Sequence, residues 1–272
     1  MTIDEVVNKM IKRAIILPDI HVPFHDEETI KAVLRCIKEL EPDRIIQLGD
    51  LFDFYDVSKF DKDPGRINSL QKEIDIGYEL MEKVIKASPK SRVEYMAGNH
   101  ERRLTRYLMR NPELHSLRSL KLENVTGFKD LGVRVYGERE TCHINNRLIV
   151  THGDAFDGCR LSQYSAYSAK STLAKKGISG ISGHSHRLGS HYFTNMSGTK
   201  EWHEAGILSQ LDPEYMTHPD WQQGFVIVTY DNKWYQIDLI HIRDHRFIYD
   251  GILYTPEGRN KIDAKHGKKR RS

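Results

Sequence analysis

The chain has 272 residues, of which 39% are hydrophobic and 29% charged, and a formal net charge of +3. That length suits one elaborated core, and the composition is that of an ordinary globular protein rather than a disordered or fibrous one. No apolar stretch reaches the roughly 18 residues a membrane-spanning helix needs, and so small a net charge does not by itself argue for a nucleic-acid partner.

Residues 1–10 include Asp4, Glu5, Asn8 and Lys9 and lack the apolar centre of a signal peptide. Cys36, Cys142 and Cys159 are odd in number and show no CxxC spacing, which reads against a disulfide framework and favours a reducing cytosol. The expected location is cytoplasmic. Lys265, Lys268, Lys269, Arg270 and Arg271 crowd the C-terminus. Such a run reads as a solvated, flexible end, with a nucleic-acid contact as the alternative. The expected organisation is one domain over residues 1–250 and an extension over 251–272.

In chain order, the apolar run 14–17 before Pro18 predicts a strand buried on both faces. Ile30, Val33, Leu34 and Ile37 form one stripe of a helix over 26–40, and Pro42 follows its end. Residues 44–48 predict a second strand. Helical spacing from Leu70 to Ile85 predicts a helix closed by Ser88-Pro89, and 93–96 a third strand. This β-α-β-α-β order favours a parallel sheet with right-handed crossovers. Strands then follow at 134–136, 140–144 and 148–150, with Asn145-Asn146 as a hairpin turn. A helix over 161–176 ends at Gly177. The remaining strands fall at 178–181, 191–195, 202–208, 224–230 and 234–242. The stretches 54–69, 110–132 and 155–163 are long and irregular, and such loops are often functional.

Five short motifs fall where these strands run out: Asp19-Ile20-His21, Gly49-Asp50, Gly98-Asn99-His100-Glu101, His152-Gly153 and Gly183-His184-Ser185-His186. Asp19 and His21 are two apart, so in extended backbone both point the same way. Asp50 follows a glycine that lets backbone approach a ligand, and its two oxygens can bridge two cations. Asp53 reads as a helix cap or as a residue that orients a ligand. The Asn99 carbonyl oxygen is a serviceable hard ligand, and His100 beside it can act on substrate. His152 ends one strand, and His184 and His186 end another. Together Asp19, His21, Asp50, Asn99, His152, His184 and His186 supply a mixed oxygen and imidazole set without cysteine. That set suits manganese, iron, zinc or nickel better than calcium.

These motifs resemble the calcineurin-like metallophosphoesterases over nearly the whole chain, roughly residues 11–242. The segment 18–28, Asn68-Ser69-Leu70-Gln71 and Trp221-Gln222-Gln223-Gly224-Phe225 look most like compact members encoded by phages and mobile elements. The resemblance implies an α/β fold of two packed mixed β-sheets flanked by helices, a four-layer α-β-β-α sandwich. It implies two divalent ions, manganese ahead of iron, zinc or nickel. Asp19, His21, Asp50 and His186 would surround one ion; Asp50 would bridge to a second held by Asn99, His152 and His184. His100 would approach the leaving-group oxygen. The implied reaction is hydrolysis of phosphate mono- or diesters, of a nucleotide or nucleic-acid end, by a metal-bridging hydroxide. The protein serine/threonine phosphatase branch carries an arginine after its second motif and another before GNHE; Phe54 and Ala97 stand there instead. A phosphoprotein phosphatase is therefore the enzymatic alternative, and a non-catalytic scaffold of the same fold the other.

Arg102, Arg103, Arg106 and Arg110 follow His100 at mostly helical spacing, and Arg187 follows His186. Solvated helix-face positions are their default reading; Arg103 and Arg187 are the candidates for holding substrate. Tyr164 and Tyr167 read as core residues, with base stacking as the alternative.

Overall fold

The computed structural model describes residues 11–62, 69–137, 140–155, 157–212 and 219–262. The first ten residues, Asn68 and the basic C-terminal run lie outside the described residues. A six-stranded sheet has β1 (Lys12–Leu17), β2 (Arg44–Gln47), β3 (Arg92–Tyr95) and β4 (Arg134–Val135) in parallel. It is extended antiparallel by β10 (Gly224–Tyr230) and then β11 (Tyr235–His241), giving the order β11-β10-β1-β2-β3-β4. The second sheet runs β5-β6-β7-β9-β8, from Cys142–Asn145, Leu148–Thr151, Ser179–Ser182, Gly198–Ala205 and Leu188–Asn195 respectively. Within it β6, β7 and β9 are parallel.

Alternation along the strands assembles the layers. Ile15, Leu17, Ile45, Val93, Phe225 and Ile227 face one way and pack with α1 (Glu27–Leu40) and α2 (Leu70–Ala87). Ala14, Ile16, Ile46, Val226 and Val228 face the other way, against Ile144, Leu148, Val150 and Ile181 of the second sheet. The far face of that sheet uses Ile149 and Trp202 to bury Ala169 and Leu173 of α6 (Tyr167–Lys176). Helix, sheet, sheet and helix follow in that order, which is the expected four-layer α/β sandwich. The central strands are apolar on both faces because both faces are covered.

Helix α1 starts where Asp26 accepts a hydrogen bond from the Thr29 amide at 2.9 Å, and it ends at left-handed Glu41. Several boundaries differ from expectation, two of them by the most. Helix α6 begins at Tyr167, not 161, because Ala166 is left-handed (φ 67°) and its backbone packs against Gly189 of β8. The strand expected over 202–208 is shifted towards the N-terminus, to Gly198–Ala205, because β8 and β9 pair as a long hairpin. Beyond both sheets, β12 (Phe247–Tyr249), β13 (Ile252–Tyr254) and β14 (Arg259–Lys261) form an antiparallel meander. The Phe247 and Tyr254 rings stack 5.2 Å apart and are buried in the same core as α1, so the chain past residue 250 adds to the packing.

Candidate metal centre

Parallel strands bring their carboxyl ends to one edge. The loop after β1 carries Asp19 and His21, that after β2 Asp50 and Asp53, and that after β3 Asn99 and His100; β6 and β7 deliver His152, His184 and His186. The loops are tied by backbone bonds, with the Ile20 and His21 amides both donating to the Asp50 carbonyl at 2.9 Å. His21, Asp50, His184 and His186 all have φ between 50° and 64°. Left-handed backbone costs a non-glycine residue on the order of 1–2 kcal/mol. Four of the seven candidate ligands hold it, so the sandwich stabilises strain that is concentrated at this edge. Glycine makes the close approaches: a Cβ on Gly98 would lie 2.2 Å from Asp50 Oδ1, and one on Gly183 2.4 Å from Asp19 Oδ2.

The donor atoms converge in two groups that share Asp50. His186 Nε2 lies 3.1 Å from His21 Nε2 and 3.5 Å from Asp19 Oδ1. His21 Nε2 lies 3.9 Å from Asp50 Oδ2. On the other side of that same oxygen, His152 Nε2 is 3.5 Å away and itself 3.0 Å from Asn99 Oδ1. His184 completes this second group, its ring centroid 5.1 Å from that of His152.

This donor set fits divalent cations. Two imidazole nitrogens face each other at 3.1 Å although at most a single proton can lie between them, and the carboxylate oxygens stand at 3.5–3.9 Å, too far for good hydrogen bonds. His152 Nδ1 points at the Leu48 carbonyl at 3.0 Å, which places a proton there and turns Nε2 towards Asp50 and Asn99. Burial, then the charge of His100, pulls His21 down to about 3; burial, then His152, pulls His184 down to about 4. Both rings are thus held in the neutral, ligating form. Burial also pulls on His152, but the Asp50 charge outweighs it and raises that ring to about 10. The site attracts positive charge where a cation would sit. Burial alone would raise Asp19 and Asp50; the surrounding histidines hold both below the ordinary carboxylate value.

Glu101 had no role in the sequence reading. Its buried carboxylate accepts from the Asp50 amide at 2.8 Å, Gly98 at 2.7 Å and Phe52 at 3.1 Å, locking the second and third motif loops together. Its place immediately after His100 was the available signal. His100 donates its backbone amide to Asp50 Oδ1 at 2.8 Å, and its Nδ1 lies 2.9 Å from the Asp53 carbonyl and 3.1 Å from Asp53 Oδ1. Asp53 therefore orients His100. It caps no helix. Arg103 donates to His100 Nε2 at 2.8 Å and to the Asp53 carbonyl at 2.7 Å. An arginine can only donate and a carbonyl only accept, so these bonds fit the neutral ring with its proton on Nδ1. Burial lowers the His100 pKa, but the Asp50 charge and the Asp53 hydrogen bond overcome it and the net shift is upward. Protonation at Nε2 thus requires Arg103 to turn away.

A cleft of about 480 Å³ opens over these groups, walled by Tyr55, Phe60, Arg103 and Trp221. The Trp221 ring meets His186 edge-on, with centroids 4.5 Å apart. The other cationic candidates lie elsewhere. Arg187 makes a two-pronged pair with Asp220 at 2.8 and 2.7 Å and donates to the Ser162 carbonyl at 2.9 Å, so it braces two loops. Arg102 is buried against Asp154 and the Ala97 carbonyl, contrary to a solvated helix face. Tyr164 and Tyr167 are both 59% exposed, which overturns their assignment to the core.

The fold and donor set define a metal-dependent phosphoric ester hydrolase. The model of the calcineurin-like phosphoesterase family matches residues 12–249, and the chain belongs to that family. It is 30% identical over 258 residues to the Gene 54 protein of Mycobacterium phage L5, covering 90% of this chain and 99% of the relative. The Gene 54 protein of phage D29 is 30% identical over 259 residues with the same coverage. Among solved structures, vacuolar protein sorting 29 from Cryptosporidium parvum aligns with a TM-score of 0.47 and 12% identity, covering 93% of this chain and 99% of that one. No described helix is long and apolar enough to cross a membrane.

Proposed function

We propose a binuclear phosphoesterase that hydrolyses phosphate mono- or diesters of a nucleotide or nucleic-acid end. The observation that carries the two-metal reading is Asp50 Oδ2, which lies 3.9 Å from His21 Nε2 of the first group and 3.5 Å from His152 Nε2 of the second. Asp19, His21, Asp50 and His186 would hold one cation, and Asp50, Asn99, His152 and His184 the other. Bound there, manganese or a similar divalent pair would neutralise the phosphoryl oxygens and supply a nucleophilic water at neutral pH.

The chain's own residues do the rest. The His100 amide holds Asp50 Oδ1 and leaves Oδ2 near both donor groups, where it would be available to either cation. Asp53 fixes the His100 ring so that Nε2 faces the cleft. Arriving phosphate competes for the Arg103 guanidinium, whose planar fork suits two phosphoryl oxygens. Release of Arg103 lets His100 Nε2 take up a proton from solvent, which it can then donate to the departing oxygen. The cleft volume falls in the roughly 300–1,000 Å³ typical of small-ligand sites, and Trp221 and Phe60 offer faces to a base.

The test measures metal content and the hydrolysis of a chromogenic monoester and a chromogenic nucleotide diester, with manganese, zinc, iron and nickel in turn. Two ions per chain and turnover of at least one ester are expected. Stoichiometric metal binding without hydrolysis of either would defeat the reading.

A further inference from the structure

We infer that a groove leading away from the metal centre binds the backbone of a single-stranded nucleic acid, so that the substrate is a polynucleotide end rather than a free nucleotide. The inference rests on the proposed function and specifies its substrate class. The groove is lined by Lys59, Phe60, Asn99, Arg103, Arg106 and Arg110, with Val57 and Ser58 beneath. It shares Phe60 and Arg103 with the cleft above the candidate ligands, so the two adjoin. Asn99 places its start at the second ligand group.

Helix α3 (Glu101–Arg110) begins at the centre and runs outward. Arg103, Arg106 and Arg110 recur at intervals of three and four, which puts them on one stripe. At about 1.5 Å rise per residue the stripe is about 10 Å long. Three guanidinium groups spread over that length can pair with successive phosphates of one strand. Four of the eight lining residues are cationic and none is a carboxylate. Asp61 lies in the cleft wall beside the groove. Among the described residues Arg106 and Arg110 make no ion pair, whereas Arg102 and Arg187 are committed to Asp154 and Asp220. The charges on Arg103 and Arg110 are close enough to add to the desolvation that lowers the Lys62 pKa.

At the junction stands Phe60, 57% exposed, with Lys59 Nζ 5.9 Å and the Arg103 guanidinium carbon 5.8 Å from its ring centre. An aromatic platform among cations along a groove is how proteins hold single strands without reading sequence: bases stack and phosphates pair. A free mononucleotide fills the cleft and leaves Arg106 and Arg110 unused. An acidic peptide would meet the cations but has no base for Phe60.

The test uses the metal-loaded full chain and anisotropy of a fluorescent single-stranded oligonucleotide ending in a phosphorothioate. The double variant R106A/R110A should weaken binding roughly tenfold and reduce the slope of log K against log salt by about 0.7 per lost contact. R106K/R110K, which keeps the charge, should recover most of that loss and shows that the helix is intact. Equal binding and equal salt slope in R106A/R110A overturn the proposal, as does polyglutamate binding as tightly as the oligonucleotide. In turnover, the oligonucleotide-to-chromogenic-ester ratio of kcat/KM should fall in R106A/R110A. Wild-type protein that hydrolyses neither ester but binds the oligonucleotide with these salt slopes would sink the enzymatic reading and leave the groove standing.

Discussion

The metal centre and the arginine groove touch at Asn99 and Arg103 yet are built in opposite ways. The centre draws on the ends of five strands in two sheets, buries its carboxylates completely, and holds four residues in left-handed backbone. The groove is one helical stripe and one loop, exposed and unstrained at Arg106 and Arg110. Residues that share such a buried network cannot be changed singly without disturbing one another, whereas residues on an exposed stripe can. Convergence of distant segments therefore builds the donor set, whereas the arginine stripe is a local surface that can vary at little cost to the fold.

The largest effect expected from breaking the centre is at Asp50. D50A removes the oxygen shared by both groups and should cost both cations, lowering turnover by at least about a thousandfold. Retention of two ions in D50A, measured by elemental analysis, would break the bridging assignment. H100N should keep both ions and lose about 10²–10⁴-fold in kcat. The loss should be greater for an alkyl ester than for a nitrophenyl ester, whose leaving group needs no proton; equal losses would remove His100 from leaving-group protonation. E101Q leaves one of three amides without its acceptor and brings in a competing donor. A destabilisation of about 2–3 kcal/mol by denaturant unfolding is expected.

Glu73 sharpens the boundary between the two regions, because it accepts from the Phe54 amide at 2.6 Å and supports the loop that carries Phe60. Burial raises its carboxyl from 4.5 to about 8, the Phe54 hydrogen bond opposing only in part. The folded state thus binds a proton that the unfolded state releases between those values. The resulting stability is complete below pH 4.5 and is lost as pH rises to about 8, at up to about 1.4 kcal/mol per unit. E73Q should flatten that slope, with Tm above wild type at alkaline pH; parallel pH profiles for the two proteins would refute it. The smallest effect belongs to the groove, where R106A/R110A should shift stability by no more than about 0.5 kcal/mol per residue.

Much of this was legible in the chain. Asp26 before an apolar stripe, Ser88-Pro89 and Gly177 mark helix ends through backbone chemistry that acts locally. The start of α6 was not legible, because Ala166 turns left-handed against a strand more than twenty residues away. The five motifs were readable because glycine and paired polar residues at strand ends are unusual. The role of Glu101 is not legible in the chain because its partners are backbone amides, which every residue but proline has.

The order of strands and helices and the residue types at the sheet edge can be read from the chain alone, since strand and helix periodicities and turn residues act over a few positions. Which arginines line the cleft depends on tertiary packing. Arg102 and Arg103 are neighbours, but a helix turns about 100° per residue. One side chain therefore enters the interior to meet Asp154, and the other enters the cleft to meet His100. Nothing within the helix distinguishes them. The sheet edge on which α3 packs does, because it fixes which side of the helix is inside.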